Sequence, residues 1–376
     1  MANAFGNYNE PFINGSTLKR LYSKVVKDNI FQDIIARDGE ACTEKYCEDT
    51  SVAQVTVLRV KPGNGDPRMI GGATNGGFFG GDAEINETVA YGVNLLDVFD
   101  KMHDIPEVQQ DMMSVDLISQ RAKIVGGQVA RGINGCTFAA QLAKNFNDIA
   151  AGTITSNLVT LPATPDGADY LNAIIEASAH LDDGDVDNGV DTYPIEERAI
   201  FVRPSLYAKL MQKGAIIIGG SNYAQDMLKD GGVSHGDKAD NVTGFCGRIL
   251  DMPVYKVAKP TMAMTEAYLG LDAGDLDDVE GFVVSGTGTL RGLAFNATIK
   301  QIDSPNGVGI RMQPLYRWGA ECILGTSVSA IVKNGFTNPA TALAPLTVVA
   351  PGSRTASTPV TPPAGDDEGE GTGTGA

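Results

Sequence analysis

Several residue types are scarce in this chain of 376 residues, and each scarcity closes off a class of function. There are three His residues, His103, His180 and His235, far apart and in no HExxH or comparable spacing, so no metal-ligand set is visible. The five Cys residues, Cys42, Cys47, Cys136, Cys246 and Cys322, are odd in number and scattered. They read as reduced thiols of a cytosol-like compartment and not as a disulfide framework. Cys42 and Cys47 have no second close pair beside them to suggest zinc. No catalytic cysteine signature and no Gly-Lys dipeptide of a P-loop occurs. No apolar run approaches membrane-spanning length, and the opening MANAFGNYNEPF lacks the pattern of a secretory signal. Positive charge is short as well: 29 Lys and Arg stand against 46 Asp and Glu, a formal net charge of −17. Such a surface does not grip nucleic acid by bulk electrostatics, which sets aside a sequence-specific DNA or RNA binder. Aromatic residues make up only 7%, and the one Trp, Trp318, reads as a packing anchor. No catalytic residue, cofactor, metal or membrane partner is expected.

What is present is apolar residue in quantity, 43%, and 45 Gly. That supports one large or two modest domains, with many turns and strands in place of a helical bundle. The longest helical pattern spans Asp104 to Asn147, with Asp104 as N-cap and Pro106 in the first turn. Its apolar stripe runs through Val108, Met112, Val115, Ile118, Ala122, Val125, Val129, Ile133 and Cys136. Four glycines interrupt it, Gly126, Gly127, Gly132 and Gly135. They allow two readings: two helices broken there, or one spine with candidate bend or close-packing points.

In chain order, residues 1 to about 15 read as a polar arm, and Ser16 to Ala36 as a helix. Ser51 to Val60 alternates as a strand, a glycine-rich excursion follows, and a second strand pattern returns at Glu84 to Leu95. Two strands flanking a long tip make an extended hairpin, which cannot bury its own surface and is expected to lie on a neighbouring subunit. The excursion leads into a strand and not a helix N-terminus, which argues against a phosphate cradle. Asp166 to Leu181 reads as an amphipathic helix with Tyr170, Ile174, Ile175, Ala177 and Leu181 inward. The following DDGDVDNGVD has Asp183, Asp185, Asp187 and Asp191 at alternating positions, but Gly189 falls one place late and Pro194 stands where a bidentate Glu belongs. It reads as a solvated acidic loop and not a calcium site. Arg198 to Val202 is a strand, Pro204 opens a helix, and GFCGRILDMPVYKV gives two short strands around a turn. Gly286-x-Gly288 lacks the third glycine of a dinucleotide fingerprint and runs on as a strand. Leu315 to Lys333 reads as a strand pair, and from Pro345 on the chain is a low-complexity acidic tail.

This order, with the stretches TYPIEERAIFVRPSLYAKLM (192–211), VTGFCGRILDMPVYKV (242–257), GTLRGLAFNATIK and RWGAECILGTSVSAIV, resembles the major capsid protein of tailed bacteriophages, the Hong Kong 97-type fold. The likeness covers roughly residues 20 to 340, and encapsulins share the fold. It implies an α+β subunit in defined parts: an N-terminal arm and helix (1–50), an extended loop (51–95), a spine helix in a peripheral domain (96–160), mostly an axial domain (161–310), returning strands of the peripheral domain (311–344) and a disordered acidic tail (345–376). It implies a structural protein of the virion, assembled in the host cytoplasm from copies of itself as hexamers and pentamers. A separate scaffolding protein and a portal would be further partners, with packaged double-stranded DNA met only non-specifically. In the loop, Pro62, Gly63, Arg68, Met69, Ile70, Phe78 and Phe79 are the candidate contacts between subunits. The competing readings are another virion or encapsulin-like shell protein, and an α/β enzyme with a glycine-rich ligand loop at residues 62 to 83.

Overall fold

The computed structural model describes residues 26–47, 52–61, 87–96, 99–100, 103–106, 115–154, 157–185, 190–212, 244–295, 300–303, 309–313 and 315–341. Helix α1 covers the described residues 26–33. The strands β1 (Thr43–Cys47), β2 (Gln54–Lys61), β3 (Glu87–Asn94), β4 (Phe99–Asp100) and β5 (His103–Pro106) precede helix α2 (Val115–Ala151). Then come β6 (Leu158–Thr160), α3 (Gly167–Asp182), β7 (Arg198–Val202), α4 (Pro204–Gln212), β8 (Phe245–Ile249), β9 (Met252–Lys256) and α5 (Lys259–Leu269). The chain closes with β10 (Val279–Ser285), β11 (Thr289–Phe295), β12 (Lys300–Asp303), β13 (Gly309–Gln313), β14 (Leu315–Cys322) and β15 (Val328–Val332).

Four sheets result. Their strand orders are β1-β11-β14-β4, β6-β15-β10-β7-β9-β8, β12-β13-β5 and β2-β3. In the six-stranded sheet every residue of β7, β10 and β15 is buried, because helices cover both faces. Alternation sorts the side chains. Ile200, Val202, Val283 and Ile331 join Ile174, Ala177 and Leu181 of α3 and Leu206 and Leu210 of α4 in one core. Ala199, Phe201, Phe282 and Val284 join Phe138 of α2 and Tyr255 of β9 in the other. Each fully buried Phe, Val or Leu of this kind contributes about 1.5–3 kcal/mol relative to exposure.

Helix α2 is 37 residues long without a break, or ~55 Å at 1.5 Å per residue. From Gly132 to Ala143 every residue is buried, so the helix passes between layers and does not lie on them. Buried amides fix its rotation. Asn134 Oδ1 accepts from the N–H groups of Ile35 and Ala36, and its Nδ2 donates to the Asp33 carbonyl, tying down the end of α1. Gln141 Nε2 donates to the carbonyl of Ala41 at 2.8 Å, and Asn145 Nδ2 to that of Val328 at 2.8 Å.

Some expectations need correction. The spine does not begin at Asp104. His103–Pro106 is a strand, paired antiparallel with β13 so that Asp104 faces Arg311 and Pro106 faces Gly309. A local N-cap signal lost to a long-range ladder, with Pro106 in an edge strand, where a proline is tolerated. Ile175 is 44% exposed and not inward, because α3 turns only one stripe to the sheet. Leu315 to Lys333 is not a pair: β14 binds β11 while β15 binds β10, in different sheets. Residues 286–288 and 325–327, two short 3-10 turns, carry the chain from one sheet to the other. Helix α5 is not anticipated from the sequence, although Pro260 at its start and Gly270 at φ 75° past its end are its ordinary signals. The polar arm, Met112 and Val108 of the stripe, Gly189 and the acidic tail lie outside the described residues.

Candidate functional site

The hairpin is the element with work left to do after the body has packed. β2 and β3 pair over eight positions, from Gln54 opposite Asn94 to Lys61 opposite Glu87, and among the described residues neither pairs with a third strand. The excursion between them, with Pro62, Gly63, Arg68, Met69, Ile70, Phe78 and Phe79, lies outside the described residues. At the root, Val55, Leu95 and Ala294 form a small core of their own, and Val93 packs with Leu290 beside Tyr91. The Leu96 N–H donates to the Trp318 carbonyl at 2.9 Å, and the Leu95 N–H to that of Ala53 at 2.9 Å. Arg317 Nη1 adds a bond to the Val52 carbonyl at 3.0 Å.

Beneath the root, Arg291 of β11 is fully buried and faces its cross-strand neighbour Glu44 of β1. Its guanidinium donates twice to Glu44 Oε2 and once to the Ala36 carbonyl. A buried charge is tolerable only with such pairing, so β1, β11 and the end of α1 are locked together. In the six-stranded layer Arg198 does the same for α3, donating to Asp182 Oδ1 at 2.6 Å, Ser178 Oγ at 3.0 Å and the Tyr193 carbonyl. Neither arginine is displayed to a ligand.

The spine glycines are contact points. A Cβ on Gly126 would sit 2.8 Å from Asn29 Cβ, one on Gly132 2.8 Å from the Trp318 ring, and one on Gly135 2.8 Å from Met264 Cβ. Gly127 would meet only the Asp33 carboxylate, at 3.0 Å. Thus α1, Trp318 and α5 each press on the spine where a side chain is missing. Trp318 is held there by its indole N–H, which donates to the Tyr268 hydroxyl of α5 at 2.8 Å.

A cleft of about 510 Å³ is lined by Lys144, Asp148, Asp185, Thr326 and neighbours. Lys144 is already paired with Asp148 at 2.8 Å, and Asp185 accepts from the Thr326 hydroxyl at 2.8 Å. Of the acidic loop, Asp183, Asp185 and Asp191 are described and Asp187 is not. Among the described residues no group of three or more His, Cys, Asp or Glu is placed to hold a metal ion. Burial pushes the thiols of Cys42 and Cys136 up to about 12 and that of Cys322 up to about 11, so none is a ready nucleophile. No described helix is long and apolar enough to cross a membrane.

No protein-family model matches the chain, and no curated protein matches it in sequence. Solved structures do. The capsid of Ralstonia phage GP4 superposes with a TM-score of 0.51 at 11% identity, over 80% of this chain and 88% of that one. The capsid of cyanophage P-SCSP1u gives 0.47 at 17% identity over 81% and 87%, and a virus-like particle from Pyrococcus furiosus 0.40 at 10% over 83% and 98%. The likeness to the Ralstonia phage capsid shows the fold, a Hong Kong 97-like capsid fold of mixed helix and sheet.

Proposed function

We propose that the chain is a major capsid protein, a structural subunit that assembles with copies of itself into hexamers and pentamers of an icosahedral shell around the genome of a tailed double-stranded DNA bacteriophage. A fold alone does not give a function. The observation that carries this reading is the β2–β3 hairpin, rooted firmly in the body yet pairing with no third strand among the described residues. An isolated two-stranded ribbon is marginal in water and is stabilised by a surface to lie on. A second copy of the chain supplies that surface in a closed, symmetric assembly. The excursion residues Pro62, Gly63, Arg68, Met69, Ile70, Phe78 and Phe79 would make the contact.

In this reading residues 1–50 are the arm and first helix, 51–95 the extended loop, 96–160 the spine, 161–310 mostly the axial domain, 311–344 the returning strands and 345–376 an acidic tail. The chain works through surfaces and not through an active site. Its net charge of −17 keeps packaged DNA at arm's length. Scaffolding protein and portal are separate chains, and the site of assembly is the host cytoplasm. Because α1, Trp318 and α5 rest on the spine glycines, any flexing of the spine as a shell closes must move those three with it.

Negative-stain microscopy of the purified full chain tests the proposal. Rings of five or six subunits and closed shells are expected, and a chain that stays monomeric at every concentration overturns it. Deleting residues 63–81 is expected to leave a soluble subunit that forms no shells; normal shells from that variant would refute the role given to the loop.

A further inference from the structure

Two glycines beneath the hairpin root carry a further inference. Gly292 of β11 and Gly319 of β14 are direct partners across the antiparallel ladder. Their neighbours Leu293 and Trp318 point to the spine core. By alternation the two glycines face the other way, toward the hairpin. A Cβ on Gly319 would lie 2.0 Å from the Asn94 carbonyl oxygen and 3.3 Å from Leu95 Cα. One on Gly292 would lie 2.7 Å from Leu95 Cδ2 and 3.5 Å from Val55 Cβ. The root is therefore laid almost backbone on backbone over this pair. The Leu96 N–H bond to the Trp318 carbonyl clamps it one residue away. Glycine weakens a strand interior, and two facing each other forfeit a cross-strand side-chain contact. β11 and β14 accept both losses at the place where the hairpin crosses them.

We infer that Gly292 and Gly319 are positioning residues, a flat seat that sets the angle at which the hairpin leaves the body. The inference rests on the shell reading for its consequence: a fixed exit angle selects which neighbouring copy the hairpin meets, and at what curvature. Raising the root by the thickness of a methyl group would redirect the far end of an eight-residue ribbon much more than its base.

Hydrogen exchange on the full-length protein reads the seat without any assembly. In Gly319→Ala the methyl group meets a carbonyl that cannot turn away, so the Leu96 amide is expected to exchange about tenfold faster or more, while β7 and β10 keep their protection. The same variant is expected to give open sheets, or shells of altered size, in place of the wild-type shells. Gly292→Ala meets a side chain instead. Gly292→Ala with Leu95→Ala is therefore expected to recover the shells that Gly292→Ala alone fails to form, with Leu95→Ala as the baseline. Unchanged Leu96 exchange and wild-type shells from Gly319→Ala overturn the seat. If Gly319→Ala loses protection throughout, the Gly292 and Leu95 pair decides, and absence of recovery overturns it. If the wild-type chain forms no shells, the exchange result still decides the seat, and it is the shell reading that falls.

Discussion

The six-stranded and four-stranded sheets share one helix and meet it by opposite means. Against the six-stranded sheet the spine offers Phe138, whose ring lies 4.8 Å from that of Phe201 and 5.1 Å from that of Phe282. Against the four-stranded sheet it offers the absence of a side chain, Gly132, and the sheet fills the gap with Trp318. The first contact is aromatic mass on mass, as in any domain core. The second brings the sheet close and leaves its far face for the hairpin. One layer is closed on both faces by its own helices, and the other is closed on its far face by the β2–β3 hairpin.

Alkali should break this comparison most sharply. The three deeply buried thiols, Cys42, Cys136 and Cys322, all lie around the four-stranded sheet, and burial raises each above the ordinary 9.0, to about 12, 12 and 11. The folded chain then holds protons that the unfolded chain releases. The stabilisation is complete below pH 9 and is lost as pH climbs toward 11 and 12. Tyr255 of the six-stranded sheet is raised as well, but from 10.0, and responds later. Exchange protection should fail in β11 and β14 before β7 and β10, and the reverse order would erase the distinction. Next in size, Phe138→Ala should cost about 3–5 kcal/mol in denaturant unfolding. Gly132→Ala should cost less, about 1–3 kcal/mol, because it overfills a contact that Trp318 can partly yield; a loss equal to that of Phe138→Ala would mean the two contacts are alike. Smallest, Asp166→Ala removes the N-cap that accepts from the N–H groups of Ala168 and Asp169, and should cost about 1 kcal/mol, with the four-stranded sheet unaffected.

What the sequence made legible was local. The hairpin strands, the amphipathic α3 helix and the two short strands around the β8–β9 turn are written in alternation and spacing. What it hid was decided by partners far along the chain. Asp104 and Pro106 look like a helix start until β13, some 200 residues later, supplies a ladder. The pairing of Gly292 with Gly319, and the hold of Asn134 on the end of α1, have no local signal, because an isolated glycine or amide reads the same on a surface as in a seam.

The two short turns at 286–288 and 325–327 have a mechanical consequence. At these turns the chain passes directly between the two sheets, twice and at adjacent points, with the Ile323 N–H bonded to the Gly288 carbonyl at 2.8 Å. A Cβ on Gly288 would meet Ser327 Oγ at 1.9 Å, so the crossings are pressed together. Force arriving at the hairpin root thus enters β11 and β14 and passes along covalent chain into β10 and β15, two interior strands of the six-stranded sheet. Sliding one sheet over the other would strain both crossings together. Under tension applied at the hairpin root, the two layers carry load as one plate.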